Sequence, residues 1–497
     1  MIRITPAPQG EELFDGCRLS AEGRPVPVHA ARVSAMPINT VWPGVQRPLW
    51  QTETAGFASI GSDGPATFQA DFDRDVGELL VRPLSRNVAC TRIGPRSWRF
   101  TLPGPGQYTC EADGFHNALH LFVDPPGDFA CGRSAIRFGP GIHDVGRVEL
   151  GSDTTVVVDA GAVVRGCFYA YGAENVAVVG HGIIDGSREA RPDTQENVYY
   201  PCDCQAPIPW DRPGFDAALL RQSGGCGLVD GCLRFYRCRN VRVEGVTLRD
   251  SALFALILGQ CENAEIANVK TIGMWRYNSD GFDLLNCRNI AIRDSFLRNF
   301  DDCVVIKGSC GLDTWNNENI LVERCVVWCD WGRSLEIGAE TNAPEYSNIV
   351  FRDCDLIHGS AVFMDIQHHN RADIHHVLFE DIRAEYTRHQ LSEVYEADVS
   401  APYVPPRPVR HPQLCAIPVW DDGLYAKDGL NGRVHDIAFR RIRVFADPGV
   451  PTPECFFRGV DAGHDVRDIV LEDFTLNGEP FRPVVHANEF VSGLRLS

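Results

Sequence analysis

Lysine is nearly missing from this 497-residue chain, occurring only at positions 270, 307 and 427. Long apolar stretches are missing too: no run reaches the roughly eighteen residues that a membrane-spanning helix requires, so no membrane partner is expected. The opening residues, MIRITPAPQGEELFDG, lack the basic region, apolar core and small-residue cleavage site of a secretory signal. The expected location is the cytoplasm, or the periplasm or exterior if a leader has been removed. Positive charge is in deficit, 47 Lys and Arg against 66 Asp and Glu, and a net charge of −19 repels phosphate backbones, which argues against a nucleic-acid partner. The 19 cysteines show no tight pair-of-pairs spacing. Cys202-Asp203-Cys204 and Cys226 to Cys232 come nearest to a zinc pattern. Reduced thiols in a solenoid interior are the simpler account, and neither metal nor cofactor is expected.

What is present is a repeat. The unit Asn-φ-x-φ-x-x-φ-x-φ, with φ apolar, begins at Asn240, Asn263, Asn289, Asn319 and Asn348, at spacings of 23, 26, 30 and 29 residues. Looser copies start at Asn175, His376, Asp436 and Asp468. The spacing suits one coil of a parallel β-helix, whose coils bury their apolar faces only against each other. A β-propeller needs longer, four-stranded units, and a leucine-rich repeat needs its Leu signature. Cys238, Cys261 and Cys287 each lie two residues before the repeat Asn, and Cys325 and Cys354 six after it, the pattern of interior ladders.

Residues 1–124 differ: short alternating runs such as TFQADF and SWRFTLP, separated by Gly, Pro and Asp, predict a small β-sandwich. Pro125-Pro126-Gly127 is a linker, and 130–497 is the solenoid. The expected fold is therefore all-β, a right-handed parallel β-helix with an N-terminal β-sandwich. Two interruptions, near 187–232 and 384–432, are too long for solenoid turns and carry Tyr199, Tyr200, Trp210, Tyr403, Trp420 and Tyr425. They are expected to wall one side of the helix, where sugar rings could stack.

Between the third and fourth clean repeats the chain turns acidic: Tyr277-Asn278-Ser279-Asp280-Gly281-Phe282-Asp283, then Phe300-Asp301-Asp302-Cys303. Asp280 and Asp301 are 21 residues apart, close to one coil, so they are expected side by side. Crowded carboxylates repel, so at least one should stay protonated near neutral pH. Glycosidic cleavage needs one protonated carboxyl and one ionised carboxylate, and such a cluster supplies both. Solvated turn acids or a calcium site remain alternatives.

Asn278-Ser279-Asp280 followed one coil later by Asp301-Asp302 resembles the motifs of glycoside hydrolase family 28, the polygalacturonases, and of the related β-helix clan of dextranases and isopullulanases. The resemblance implies an inverting glycoside hydrolase with Asp301 as general acid and Asp280 and Asp302 activating water. Two family motifs are altered. The family's His is Arg333 within Gly332-Arg333-Ser334-Leu335-Glu336-Ile337-Gly338, and its uronate-gripping Arg-Ile-Lys corresponds to Asp365-Ile366-Gln367. An acid where a cation should hold a uronate argues for a neutral sugar. Candidate substrate-binding residues are Asn278, Asp283, Lys307, Arg333, Glu336, Glu340, Asp365, His368 with its neighbour His369, and Trp420. Lys307 is expected against Asp280 or Asp302, and Arg333 beside the acid pair or bridging to Glu336 or Glu340. A transglycosylase, a polysaccharide lyase and a non-catalytic carbohydrate-binding solenoid are the competing functions, and the oligomeric state is open.

Overall fold

A computed structural model describes residues 2–35, 49, 52–127, 129, 134–189, 231–276, 278–308, 312–390, 410–421 and 431–497. Tyr199, Tyr200, Trp210, Tyr277, Tyr403 and Tyr425 lie outside the described residues, as do Cys202, Cys204 and Cys226.

The alternating N-terminal runs pair into two five-stranded sheets. One has the order Arg24–Val26, Cys17–Ala21, Ala66–Phe72, Ser97–Leu102, Cys90–Arg92; the other His29–Ser34, Thr52–Gly61, Leu119–Asp124, Gly106–Ala112, Leu79–Arg82. Alternate residues of both, among them Phe68, Phe100, Tyr108 and Leu121, fill the core between them. From Ser134 the remaining strands form a single 32-stranded system. Nearly all pair in parallel with the strand one coil further on, as in Leu256–Gly259, Phe282–Leu285, Val304–Gly308, Arg333–Thr341 and Val362–His368. This is the parallel β-helix that the repeat predicts.

The repeat asparagines mark one turn of each coil. Asn240, Asn263, Asn289, Asn319 and Asn348 all adopt left-handed backbone with φ between 54° and 58°, which Asn tolerates better than bulkier residues. Their amides form an exposed ladder: Asn289 donates to Asn263 at 3.2 Å and Asn319 to Asn289 at 3.0 Å. His376, Asp436 and Asp468 take the same φ in the looser copies. Inside, Cys238, Cys261, Cys287, Cys325 and Cys354 are fully buried. The thiol of Cys261 donates to Phe235 O and that of Cys287 to Leu258 O, each at 3.2 Å. Cys232 is a core residue as well, its thiol pushed well above its usual range by burial. Among the described residues no group of three or more His, Cys, Asp or Glu is placed to hold a metal ion.

The sandwich seats Phe57 and Phe122 against Ile272, Phe296 and Trp328, on the sheet that contains Lys270–Met274, Phe296–Asn299 and Val326–Cys329. Lys270 Nζ meets Asp124 Oδ1 at 2.5 Å in this contact, and Arg82 bridges Glu111 and Glu385, so the buried charges of the junction are paired. One sheet of the solenoid is thereby covered. The neighbouring sheet, from Leu256–Gly259 to Val362–His368, carries the acids.

Candidate active site

Strand alternation sorts this sheet into columns. Leu284, Ile306, Ile337 and Ile366 stack in register in the interior, so Asp283, Val305, Glu336 and Asp365, one residue earlier, stack on the outward face. Lys307 is outward too, level with Leu285. Asp280, Asp301 and Asp302 lie in the turns that lead into Phe282–Leu285 and Val304–Gly308, where the coil-to-coil ladder continues unbroken. Ala255 N donates to Asp280 O at 2.9 Å, Gly281 N to Asp302 O at 2.8 Å and Cys303 N to Arg333 O at 2.9 Å. The ladder brings the three aspartates together, as their one-coil spacing predicts.

All three are recessed, with Asp280 at 1%, Asp301 at 4% and Asp302 at 7% exposure. Lys307 Nζ lies 2.6 Å from Asp280 Oδ2 and 2.9 Å from Asp283 Oδ1, and sits 4.5 Å from the centre of the Phe254 ring. Its second acid is therefore Asp283 and not Asp302, because Asp283 shares the outward face two residues from the level of Lys307. Asp301 Oδ1 accepts from Asp302 N at 3.1 Å, and Asp302 Oδ1 from Arg333 N at 3.0 Å. The Arg333 side chain, 27% exposed, approaches three carboxyls: Asp365 at 3.5 Å, Glu336 at 3.9 Å and Asp302 at 4.0 Å. A Cβ on Gly332 would stand 2.5 Å from Asp302 Oδ1 and 2.7 Å from Asp301 Oδ1. Only glycine lets the backbone pass this close to the acid pair.

Burial, reinforced by the charge of Asp302, holds the Asp301 carboxyl well above the usual carboxylate range. Burial raises Asp280 as well, against the pull of Lys307, and raises both Asp283 and Asp365 to about 7 against Lys307 and Arg333 respectively. Glu336 is lifted well above its usual range by burial and then by Asp302. The site can thus offer protonated and ionised carboxyls side by side near neutral pH.

The other sequence candidates divide. Asn278 is half-buried in the turn before Asp280, with a left-handed φ of 51°. Glu340 is half-buried, and its charge is among those that raise Asp283. His368 does not share the outward face of the acids. It lies three residues after outward Asp365, hence on the opposite face, and is fully buried with Nδ1 2.7 Å from Thr341 Oγ1. Its neighbour His369 instead stacks on Trp420, ring centres 6.2 Å apart, and its Nε2 lies 3.0 Å from Gln367 Nε2. Arg458 covers Trp420 at 4.8 Å. Gly332, Phe254 and Gln367 join the site beside the sequence candidates, Gln367 as the last residue of Asp365-Ile366-Gln367. Gly332 at least opens the altered Gly-Arg-Ser motif, whereas nothing in the sequence links Phe254 to Lys307.

A parallel β-helix with a recessed carboxyl cluster where two coils turn defines the class of protein. Residues 210–386 match the family described as Glycosyl hydrolases family 28. It is 31% identical over 137 residues to an exopolygalacturonase of Arabidopsis thaliana, covering 27% of this chain and 30% of that protein. It is 35% identical over 124 residues to a probable rhamnogalacturonase A of Aspergillus oryzae, covering 24% of each. The chain thus matches under a third of the length of these relatives. Among solved structures, an exopolygalacturonase from Thermotoga maritima superimposes with a TM-score of 0.52 at 19% identity, over 73% of this chain and 83% of that one. Dex49A from Penicillium minioluteum does so with a TM-score of 0.50 at 11% identity, over 100% and 96%. These likenesses are to the fold, a right-handed parallel β-helix.

Proposed function

We propose that this protein is an inverting glycoside hydrolase that cleaves a poly- or oligosaccharide of neutral sugars through Asp280, Asp301 and Asp302. Asp301, kept protonated by burial and by the charge of Asp302, gives its proton to the glycosidic oxygen as the bond to the anomeric carbon breaks. Asp280 and Asp302 take a proton from water as its oxygen attacks that carbon from the opposite face. The observation that carries this reading is the unlike surroundings of the carboxyls. Asp280 is bonded to the Lys307 ammonium and Asp302 to the Arg333 amide, whereas Asp301 accepts from the Asp302 amide within the same turn.

The choice of a neutral sugar rests on charge. Lys307 lies between Asp280 and Asp283, and Arg333 among Asp302, Glu336 and Asp365, so the two cations already face five carboxyls. A uronate would bring one more negative charge to a site with none of its cations to spare. A galacturonate-containing chain is the second reading, favoured by the names of the relatives.

Both readings are tested by product release from a panel of neutral α-glucans, fructans and galacturonans, comparing wild type with Asp301→Asn and following the anomeric proton by NMR. Cleavage of a neutral glycan with inversion, lost in the variant, is the expected result. Cleavage confined to galacturonans would replace the neutral sugar with the acidic one, and unsaturated uronate products would replace hydrolysis with elimination.

A further inference from the structure

Glu336 is a fully buried carboxyl that the mechanism above leaves unused. It alternates with the core residues Leu335 and Ile337 and so points outward, in register between Val305 and Asp365. Neither Oε1 nor Oε2 has a hydrogen-bond partner. The groups that face it from its own and the adjoining coils are Asp302, Arg333 and Asp365, and the Arg333 Nε stands 3.9 Å away, beyond hydrogen-bond reach. Arg333 is closer to Asp365, at 3.5 Å. An ionised carboxylate buried with no donor on either oxygen is strongly disfavoured, and two ionised carboxylates facing each other repel.

One proton resolves both difficulties, and the geometry says which partner holds it. Asp302 already accepts the Arg333 amide at 3.0 Å, which stabilises its negative charge, while Glu336 has no such donor. We infer that Glu336 is a positioning residue for this reaction: it carries a proton and donates it in a hydrogen bond to Asp302, keeping that base ionised and aimed. The burial that lifts Glu336 well above the usual carboxylate range acts in the same direction. The inference rests on the assignment of Asp302 as a base of the proposed hydrolase. It gives a neutral hydrogen-bond donor to a position two residues beyond the altered Arg333-Ser334 pair.

The test compares wild type, Glu336→Gln and Glu336→Ala on the glycan that wild type cleaves, through the pH dependence of kcat/KM. The amide of Gln keeps an N–H donor and, like a protonated acid, has no charge. Glu336→Gln is therefore expected to leave the acidic limb where wild type has it, rescuing the displacement seen in Glu336→Ala. Glu336→Ala removes the donor, so the acidic limb moves to higher pH and activity falls by about tenfold or more. An acidic limb that moves to lower pH in Glu336→Gln would mean that a negative charge had been removed, which overturns the inference. A second readout needs no substrate: isotope-edited infrared difference spectra of glutamate-labelled wild type against Glu336→Gln at pH 7. A protonated-carboxyl band lost in the variant supports the inference, and a carboxylate band lost instead overturns it. If wild type cleaves none of the glycans, the hydrolase reading fails while the infrared measurement still decides the proton.

Discussion

Lys307 Nζ and Asp280 Oδ2 lie 2.6 Å apart across adjacent coils, and the same ammonium holds Asp283 at 2.9 Å. One buried cation therefore compensates two buried acids. Replacing it by an isosteric apolar residue, Lys307→Met, leaves both acids with no ammonium. The expected result is a loss of about 3 kcal/mol of unfolding free energy, measured by denaturant titration, with a fall in kcat greater than any change in KM.

The proposed acid is expected to be the most sensitive single position. Asp301→Asn removes the transferable proton without altering size, and turnover should fall by about a thousandfold or more, with substrate affinity little changed. Binding measured calorimetrically on the inactive variant, beside its turnover, separates the two effects.

Gly332 tests whether the acid pair tolerates any displacement. Its absent Cβ would fall 2.5 Å from Asp302 Oδ1 and 2.7 Å from Asp301 Oδ1. Gly332→Ala must push one carboxyl aside, and kcat is expected to drop by about a hundredfold. Steady-state kinetics of the purified variant give the answer, and an unchanged kcat would show that the carboxyl positions are not critical.

The acids also tax the fold. Asp283 is raised from 3.8 to about 7 by burial, so the folded state holds its proton more tightly than the unfolded chain. Its contribution to stability is full below the unfolded value and is lost as pH rises through the interval up to about 7. Asp283→Asn keeps the neutral shape and leaves Lys307 paired with Asp280. Its thermal midpoint should match wild type near pH 4 and exceed it by about 1–3 °C above pH 7, as read by calorimetry across that range.

At the repeat turn the requirement is conformational. Asn289 has φ 56° and both gives and accepts a ladder bond. Asn289→Ala should cost about 1–2 kcal/mol of stability, and Asn289→Gly less, because glycine adopts the left-handed turn without strain. Denaturant midpoints of the two variants check the order.

Much of this architecture is legible along the chain because coil stacking repeats one local demand. Every coil needs a left-handed turn residue, so Asn recurs near one coil length, and every coil buries a small apolar side chain, so Cys238, Cys261 and Cys287 keep step with it. The same arithmetic sets Asp280 beside Asp301 and Asp302. Which way a side chain faces across a turn is not legible in this way. The alternation that runs from Val304 to Lys307 does not extend back through the Asp301-Asp302 turn, so Asp283 could not be told from Asp302 as the partner of Lys307. His368 and His369 are adjacent, chemically alike and both buried, yet strand parity turns the first onto Thr341 and the second onto Trp420.

The sequence by itself determined the solenoid, its coil length, the sandwich before it and the meeting of three aspartates, because each follows from periodicity and chain spacing. Tertiary structure alone decided which cation serves which acid, that Glu336 lies with no donor on either oxygen, that the Gly332 backbone runs close against the Asp301 and Asp302 carboxyls, and which sheet the sandwich covers. Those are relations between side chains on different coils, set by register and packing in three dimensions, for which the order of residues carries no local signal.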